Sequence, residues 1–154
     1  MHSARTAKLA IIASSLVIAT QAPATQTLYG THYDETISHS CFATTYCQVL
    51  FSQLPSDKLT LVHRATCRFT TTVPVYVSNL QVSATTNGAT LGRYVQLTLN
   101  TPGPVGGSYF TTVDVDPEFL MGPSRYPYVE AYTSTNSTIF IECTLSGELV
   151  TPIQ

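Results

Sequence analysis

Three groups of residues in this chain are of the right types to do chemistry. The first is an acidic run, Asp114-Val115-Asp116-Pro117-Glu118, in which Asp114, Asp116 and Glu118 recur at every second position. On an extended strand that spacing puts the carboxylates on one face, about 6.6 Å apart. Oxygen ligands of this kind suit calcium. Two carboxylates about 5–10 Å apart also suit glycoside hydrolysis. The run lacks the spacing and the glycine of an EF-hand loop, so other loops must complete any calcium cage. The plainer reading is a solvated strand face running into a proline turn.

The second group is aromatic. Tyr126, Tyr128 and Tyr132 cluster around Glu130, and Tyr128, Glu130 and Tyr132 share one parity. If that face points outward, two rings flank a carboxylate. Such a surface suits protein interfaces and can stack on sugars. The competing reading is ordinary packing, because tyrosine is common in strands. These four residues are the candidate ligand-binding set.

The third group is the four cysteines, which allow three pairings. Cys67 and Cys143 fall on the apolar sides of two strongly alternating segments. Cys41 and Cys47 enclose a short local loop. The expected pairs are therefore Cys67–Cys143 and Cys41–Cys47. The chain-entropy model values the long loop at about 4–5 kcal/mol and the short one at about 2 kcal/mol. His39 lies near Cys41 and Cys47, and His63 precedes Cys67, yet the chain has no C-x-x-C motif. His63 and Cys67 would stand about 13 Å apart along a straight strand. The cysteines are thus expected to be staples rather than metal ligands, and His63 a core or half-buried histidine with a hydrogen-bond partner.

Other chemistry finds little support. No G-x-S-x-G nucleophile motif is present. The glycine-rich segment Gly103–Gly107 lacks the Lys-Ser/Thr ending of a phosphate loop. No cofactor is expected. Asn136-Ser137-Thr138 fits an N-glycosylation acceptor in a turn.

The elements that must position these groups read as strands. In Leu59–Phe69 the odd positions Leu59, Leu61, His63, Ala65, Cys67 and Phe69 oppose Thr60, Val62, Arg64, Thr66 and Arg68. One face is mostly apolar and the other mostly polar, as in a strand with one side on a core. Ser137–Leu149 repeats the pattern, with Ile139, Ile141, Cys143, Leu145 and Leu149 together and Phe140 the exception. Leu91, Val95, Leu97 and Leu99 share a face on which Arg93 is out of place, and Tyr109, Val113 and Val115 oppose Thr112 and Asp114. In Val73–Val82 the apolar parity switches, which predicts a bulge near Ser78-Asn79. Tyr46–Phe51 and Pro127–Tyr132 are further strand candidates. Turn residues such as Pro55-Ser56-Asp57, Asn87-Gly88 and Pro102-Gly103-Pro104 separate these runs.

Seven or eight strands with frequent turns and no convincing helix predict an antiparallel β-sandwich, jelly-roll or Ig-like, with a barrel as the rival. Composition agrees. Threonine occurs 23 times in residues 25–154, all nine tyrosines lie there, and lysine, glutamate and alanine are scarce.

The start of the chain sets the expected compartment. Arg5 and Lys8 precede an apolar run, Leu9–Ala19, and then Ala22-Pro23-Ala24. That is the pattern of a secretory signal peptide cut before Thr25. The apolar run would span about 16 Å as a helix, short of the roughly 30 Å of a bilayer core. Residues 25–154 then form one exported domain, with residues 25–40 either a flexible arm or an edge strand. They carry five Lys and Arg against nine Asp and Glu, a net charge of −4 with histidine neutral. Phosphate neutralisation needs basic residues, so nucleic acid is a poor partner, and polybasic membrane binding is disfavoured equally.

The expectation is a secreted, disulfide-stapled, non-catalytic binding module for a protein or glycan ligand. The alternatives are an envelope-associated subunit that assembles through an edge strand or N-terminal arm, and a secreted hydrolase using the acidic cluster.

Overall fold

The computed structural model describes residues 25–152, except for the side chains of Thr25 and Thr90. The expected signal peptide, residues 1–24, lies outside them. Eight strands follow in order: β1 (Thr25–Tyr29), β2 (His32–Leu50), β3 (Leu59–Thr71), β4 (Val75–Ser83), β5 (Thr90–Gln96), β6 (Tyr109–Val115), β7 (Phe119–Met121) and β8 (Tyr126–Val150). All pairings are antiparallel. The described residues contain no helix, and the sheet does not close into a barrel. Residues 25–40, open between arm and strand in the sequence, lie in β1 and the start of β2.

Two long strands organise the molecule. β2 and β8 pair over most of their length, but the register shifts on either side of Thr44. Ala43 there takes φ +51°, the left-handed conformation that a bulge often requires. The shift divides the ladder into two arms. In the first, β1 flanks β2, β3 flanks β8, and β6 and β7 both pair the far side of β3. In the second, the Tyr46–Leu50 stretch of β2 pairs β8 over Tyr128–Tyr132, then β4, then β5. Both arms contribute to one apolar cluster. Phe69, Ile139, Ile141 and Leu145 enter it from the first arm, and Val49, Leu80, Val82 and Val129 from the second. The two arms thus share a single core. Each such side chain stabilises the fold by about 1.5–3 kcal/mol relative to exposure.

The period-2 pattern predicts the inward face of β8 correctly from Ile139 to Leu145. It fails at the start of β3. There Thr60 and Val62 are buried, and Leu59 and Leu61 are only half-buried. The cause is a register shift between Val62 and Arg64, which turns every earlier side chain to the other face. Gly147 makes the shift fit. It stands opposite Val62, and a Cβ on it would meet the backbone of Leu61. The parity switch in β4 also exists, but upstream of the expected Ser78-Asn79, between Val75 and Val77. Leu91 is exposed rather than packed with Leu97. Arg93, out of place on an apolar face, lays its guanidinium 5.0 Å from the Phe119 ring centre, a cation–π contact.

Both expected disulfides form. Cys41–Cys47 spans the β2 bulge, and Cys67–Cys143 joins directly opposed residues of β3 and β8. The long bridge therefore ties neighbouring strands of one sheet.

Candidate functional site

The outer face of the second arm carries a cluster of side-chain hydrogen bonds. Register alone brings it together. Tyr128, Glu130 and Tyr132 of β8 lie beside Leu50, Gln48 and Tyr46 of β2. On the other side Gln81 and Asn79 of β4 face Tyr128 and Glu130. The opposite parity, Val129 and Ala131, points into the core.

Glu130 is the hub of this face. Its Oε1 accepts hydrogen bonds from Asn79 Nδ2, at 2.9 Å, and from Gln81 Nε2. Gln81 Oε1 in turn accepts from the Tyr128 hydroxyl at 2.8 Å. Nearer the bend, the Tyr46 hydroxyl donates to Gln48 Oε1 at 2.7 Å. The Tyr46 and Tyr132 rings lie 5.1 Å apart at 50°, within the range of favourable aromatic pairs. Burial, and then the Glu130 carboxylate, pushes both of these phenols above their ordinary pKa. They remain protonated donors throughout the physiological range.

The β4–β5 loop covers part of this layer. Ser83, Thr85 and Asn87 shape it through side-chain to backbone bonds. Gly88 takes φ +69° and lies against Gln48 so closely that a Cβ would collide with the amide. Between this loop and β2 runs a groove of about 540 Å³. Its lining includes Thr86 and Asn87 on one side, and His39, Cys41, Tyr46 and Gln48 on the other.

The sequence-based candidates fare unevenly. Tyr128 and Glu130 are only 2% and 6% exposed, so the condition that their face be open is not met at either residue. They form the floor of the site. Tyr126 and Tyr132 are half-buried. The rings that reach solvent on this arm are others: Tyr94 at 63%, Tyr76 at 59% and the rim of Tyr46. Tyr76 and Tyr94 sit in runs whose alternation is carried by apolar residues, so parity alone gives no sign of their outward rings. Phe42 at the bulge tip is also exposed.

The acidic run does not converge. Asp114 accepts a two-point contact from Arg64, at 2.9 and 2.8 Å, which holds its carboxyl below the ordinary range. Glu118, at φ +43°, turns instead to His63, with Nδ1 to Oε2 at 3.0 Å. Asp116 is exposed. Among the described residues, the three-residue group close enough to share an ion is His39, Cys41 and Cys47, and its two sulfurs are joined.

His63 has the partner that the sequence reading expected, in fact two. Glu118 meets one ring nitrogen and Glu148 stands 3.5 Å from the other. It is not a core residue, because the β3 bulge turns it outward. A buried carboxylate also escaped sequence reasoning. Glu35 is fully enclosed, accepting from the Tyr33 hydroxyl at 3.0 Å and the Ser52 amide at 2.8 Å. Its only signal was parity with Tyr33 and Ile37.

Compared with known proteins, the chain matches no family model, no curated protein and no solved structure.

Proposed function

We propose that this chain is an exported, non-catalytic module that binds a protein or glycan ligand through the tyrosine-bearing outer face of its second arm. The observation that supports this reading is the Tyr46–Tyr132 ring pair held beside the Glu130 network, with Tyr76 and Tyr94 exposed on the same arm. Pre-ordered rings lose little entropy on binding, and aromatic anchors commonly carry the energy of an interface. The two disulfides are consistent with an oxidising extracellular or periplasmic location.

The test is a glycan array, with a parallel pull-down from the source's envelope, using the oxidised chain. Tyr46→Ala and Tyr76→Ala should each weaken capture of the ligand so found by about tenfold or more, equivalent to at least 1.4 kcal/mol. Circular dichroism should show the β fold intact. Unchanged affinity in both variants would move the site elsewhere.

A second reading draws on β1. This short strand lies at the end of the sheet order, and its Leu28 and Tyr29 are exposed. Such an edge is suited to pairing with another chain. Sedimentation over a range of concentrations discriminates it. Assembly that disappears when Leu28 and Tyr29 are replaced by lysine would favour a structural subunit.

A further inference from the structure

β2 brings three soft-metal ligands to one point beside the groove. His39 and Cys41 are alternate residues of the strand, so both project from one face. The bulge around Thr44 turns the strand and returns Cys47 to Cys41. A ring nitrogen of His39 and the sulfurs of Cys41 and Cys47 all lie within 4.8 Å of one another. His39, Cys41 and Cys47 all line the groove, with Cys47 buried and the half-buried His39 and Cys41 giving solvent access.

In the oxidised chain the two sulfurs are joined and offer no thiolate. We infer that reduction of Cys41–Cys47 converts this point into a binding site for one thiophilic cation, Zn²⁺ or Cu⁺, held by His39, Cys41 and Cys47.

The step balances. A dithiol reductant supplies two electrons and two protons and closes into its own disulfide, while Cys41 and Cys47 become thiols. The cation then takes up two thiolates and releases their protons to solvent. Two thiolates and an imidazole are a donor set for zinc or cuprous ions rather than for magnesium or calcium. Tetrahedral zinc with sulfurs at about 2.3 Å needs them about 3.8 Å apart. The Cα atoms, 5.7 Å apart, allow that separation by side-chain rotation alone. Three protein ligands leave a further position, open toward the groove, for water or a small ligand.

The other bridge makes the conversion selective. Cys67 and Cys143 are 5% and 1% exposed within the central ladder, and thiol–disulfide exchange requires access to a sulfur. A limiting reductant therefore opens Cys41–Cys47 first.

The test uses the full chain, treated anaerobically with a limiting dithiol. Alkylation and mass mapping should find Cys41 and Cys47 labelled, and Cys67 and Cys143 not. Titration with Co²⁺ should then raise a thiolate-to-cobalt charge-transfer band that saturates at one ion per chain and is bleached by Zn²⁺. Competition for Cu⁺ against a chromogenic chelator tells which cation the site prefers. His39→Ala should weaken Co²⁺ binding by about 100-fold or more, since losing even an outer partner of a ligand costs about 10–100-fold. The Cys41→Ser/Cys47→Ser double variant should keep its β-sheet dichroism and lose the band. The inference is overturned if both bridges open together, if no one-to-one band forms, or if His39→Ala binds Co²⁺ as tightly as the parent.

Discussion

The two arms of this molecule are made from the same two strands and differ in what lies on their outer faces. In the first arm β8 runs Ile139, Ile141, Cys143, Leu145 inward, and its outward Thr138 and Glu142 are exposed. In the second arm the same strand is buried on both faces from Pro127 to Ala131. There the outward residues are Tyr128 and Glu130, hydrogen-bonded to the amides of Gln81 and Asn79, with Gln48 beside Glu130 packed against Gly88. The first arm is organised as a scaffold with one wet face. The second spends its outer face on a satisfied polar network, which fixes side-chain positions more than it adds stability.

The disulfides follow the same division. Cys67–Cys143 closes a separation of 76 residues inside the scaffold, while Cys41–Cys47 closes one of 6 at the bend. Loop-closure entropy makes the long bridge worth about 4–5 kcal/mol and the short one about 2 kcal/mol. Chemical denaturation of the two double-serine variants should reproduce that order. Equal losses, or a larger loss at the bend, would show that the bend rather than the ladder carries the fold.

Gly147 sharpens the contrast within the scaffold itself. Its missing Cβ lets Val62 and Leu61 approach at the β3 bulge. Gly147→Ala has no flexible neighbour to displace, only backbone, so overpacking should cost about 1–3 kcal/mol. Gly88→Ala, by contrast, meets only the end of the Gln48 side chain but must hold φ +69°, a strain of about 1–2 kcal/mol, and it should also perturb the proposed ligand binding on the second arm. Denaturation midpoints and near-ultraviolet dichroism separate the two effects. A Gly147→Ala protein as stable as its parent would mean that the bulge relaxes freely.

How far the sequence could be read follows from the same geometry. Alternation in Ser137–Leu149 is broken only by Phe140, and so its buried face and the role of Cys143 are legible. The Cys67–Cys143 pairing followed from two inward cysteines. Parity alone does not reveal a one-residue register shift, which is why alternation places Leu59 and Leu61 in the core in place of Thr60 and Val62. The same blindness put His63 on the apolar face. Of the four tyrosine-face candidates, Tyr128 and Glu130 lie deeper than an open face would place them. Tyr128 and Glu130 are flanked by β2 and β4, and no local pattern encodes that long-range cover. Tyr46 joined the site through the register of β2 with β8, between residues 86 positions apart.

The smallest expected effect tests whether the scaffold's bulge is passive. His63 stands between Glu118 and Glu148, and the hydrogen bond to Glu118 raises its pKa, reinforced by Glu148. A raised folded-state pKa means that the folded protein holds the proton more tightly than the unfolded chain does. The stabilising contribution is therefore complete below the unfolded value of about 6.5, and it is lost as pH rises through the folded value. Both partners are exposed, so the effect is modest and weakens with salt. Thermal midpoints of the parent and of His63→Gln, followed from about pH 5 to about pH 9, should differ most at the acid end and converge at the alkaline end. Glu118→Gln should remove most of the same difference, because Glu118 is the stronger partner. Parallel curves would make the pair an ornament of the bulge. A gap that widens with rising pH would mean that neutral His63, not the imidazolium, is the form the β3 bulge is built to hold.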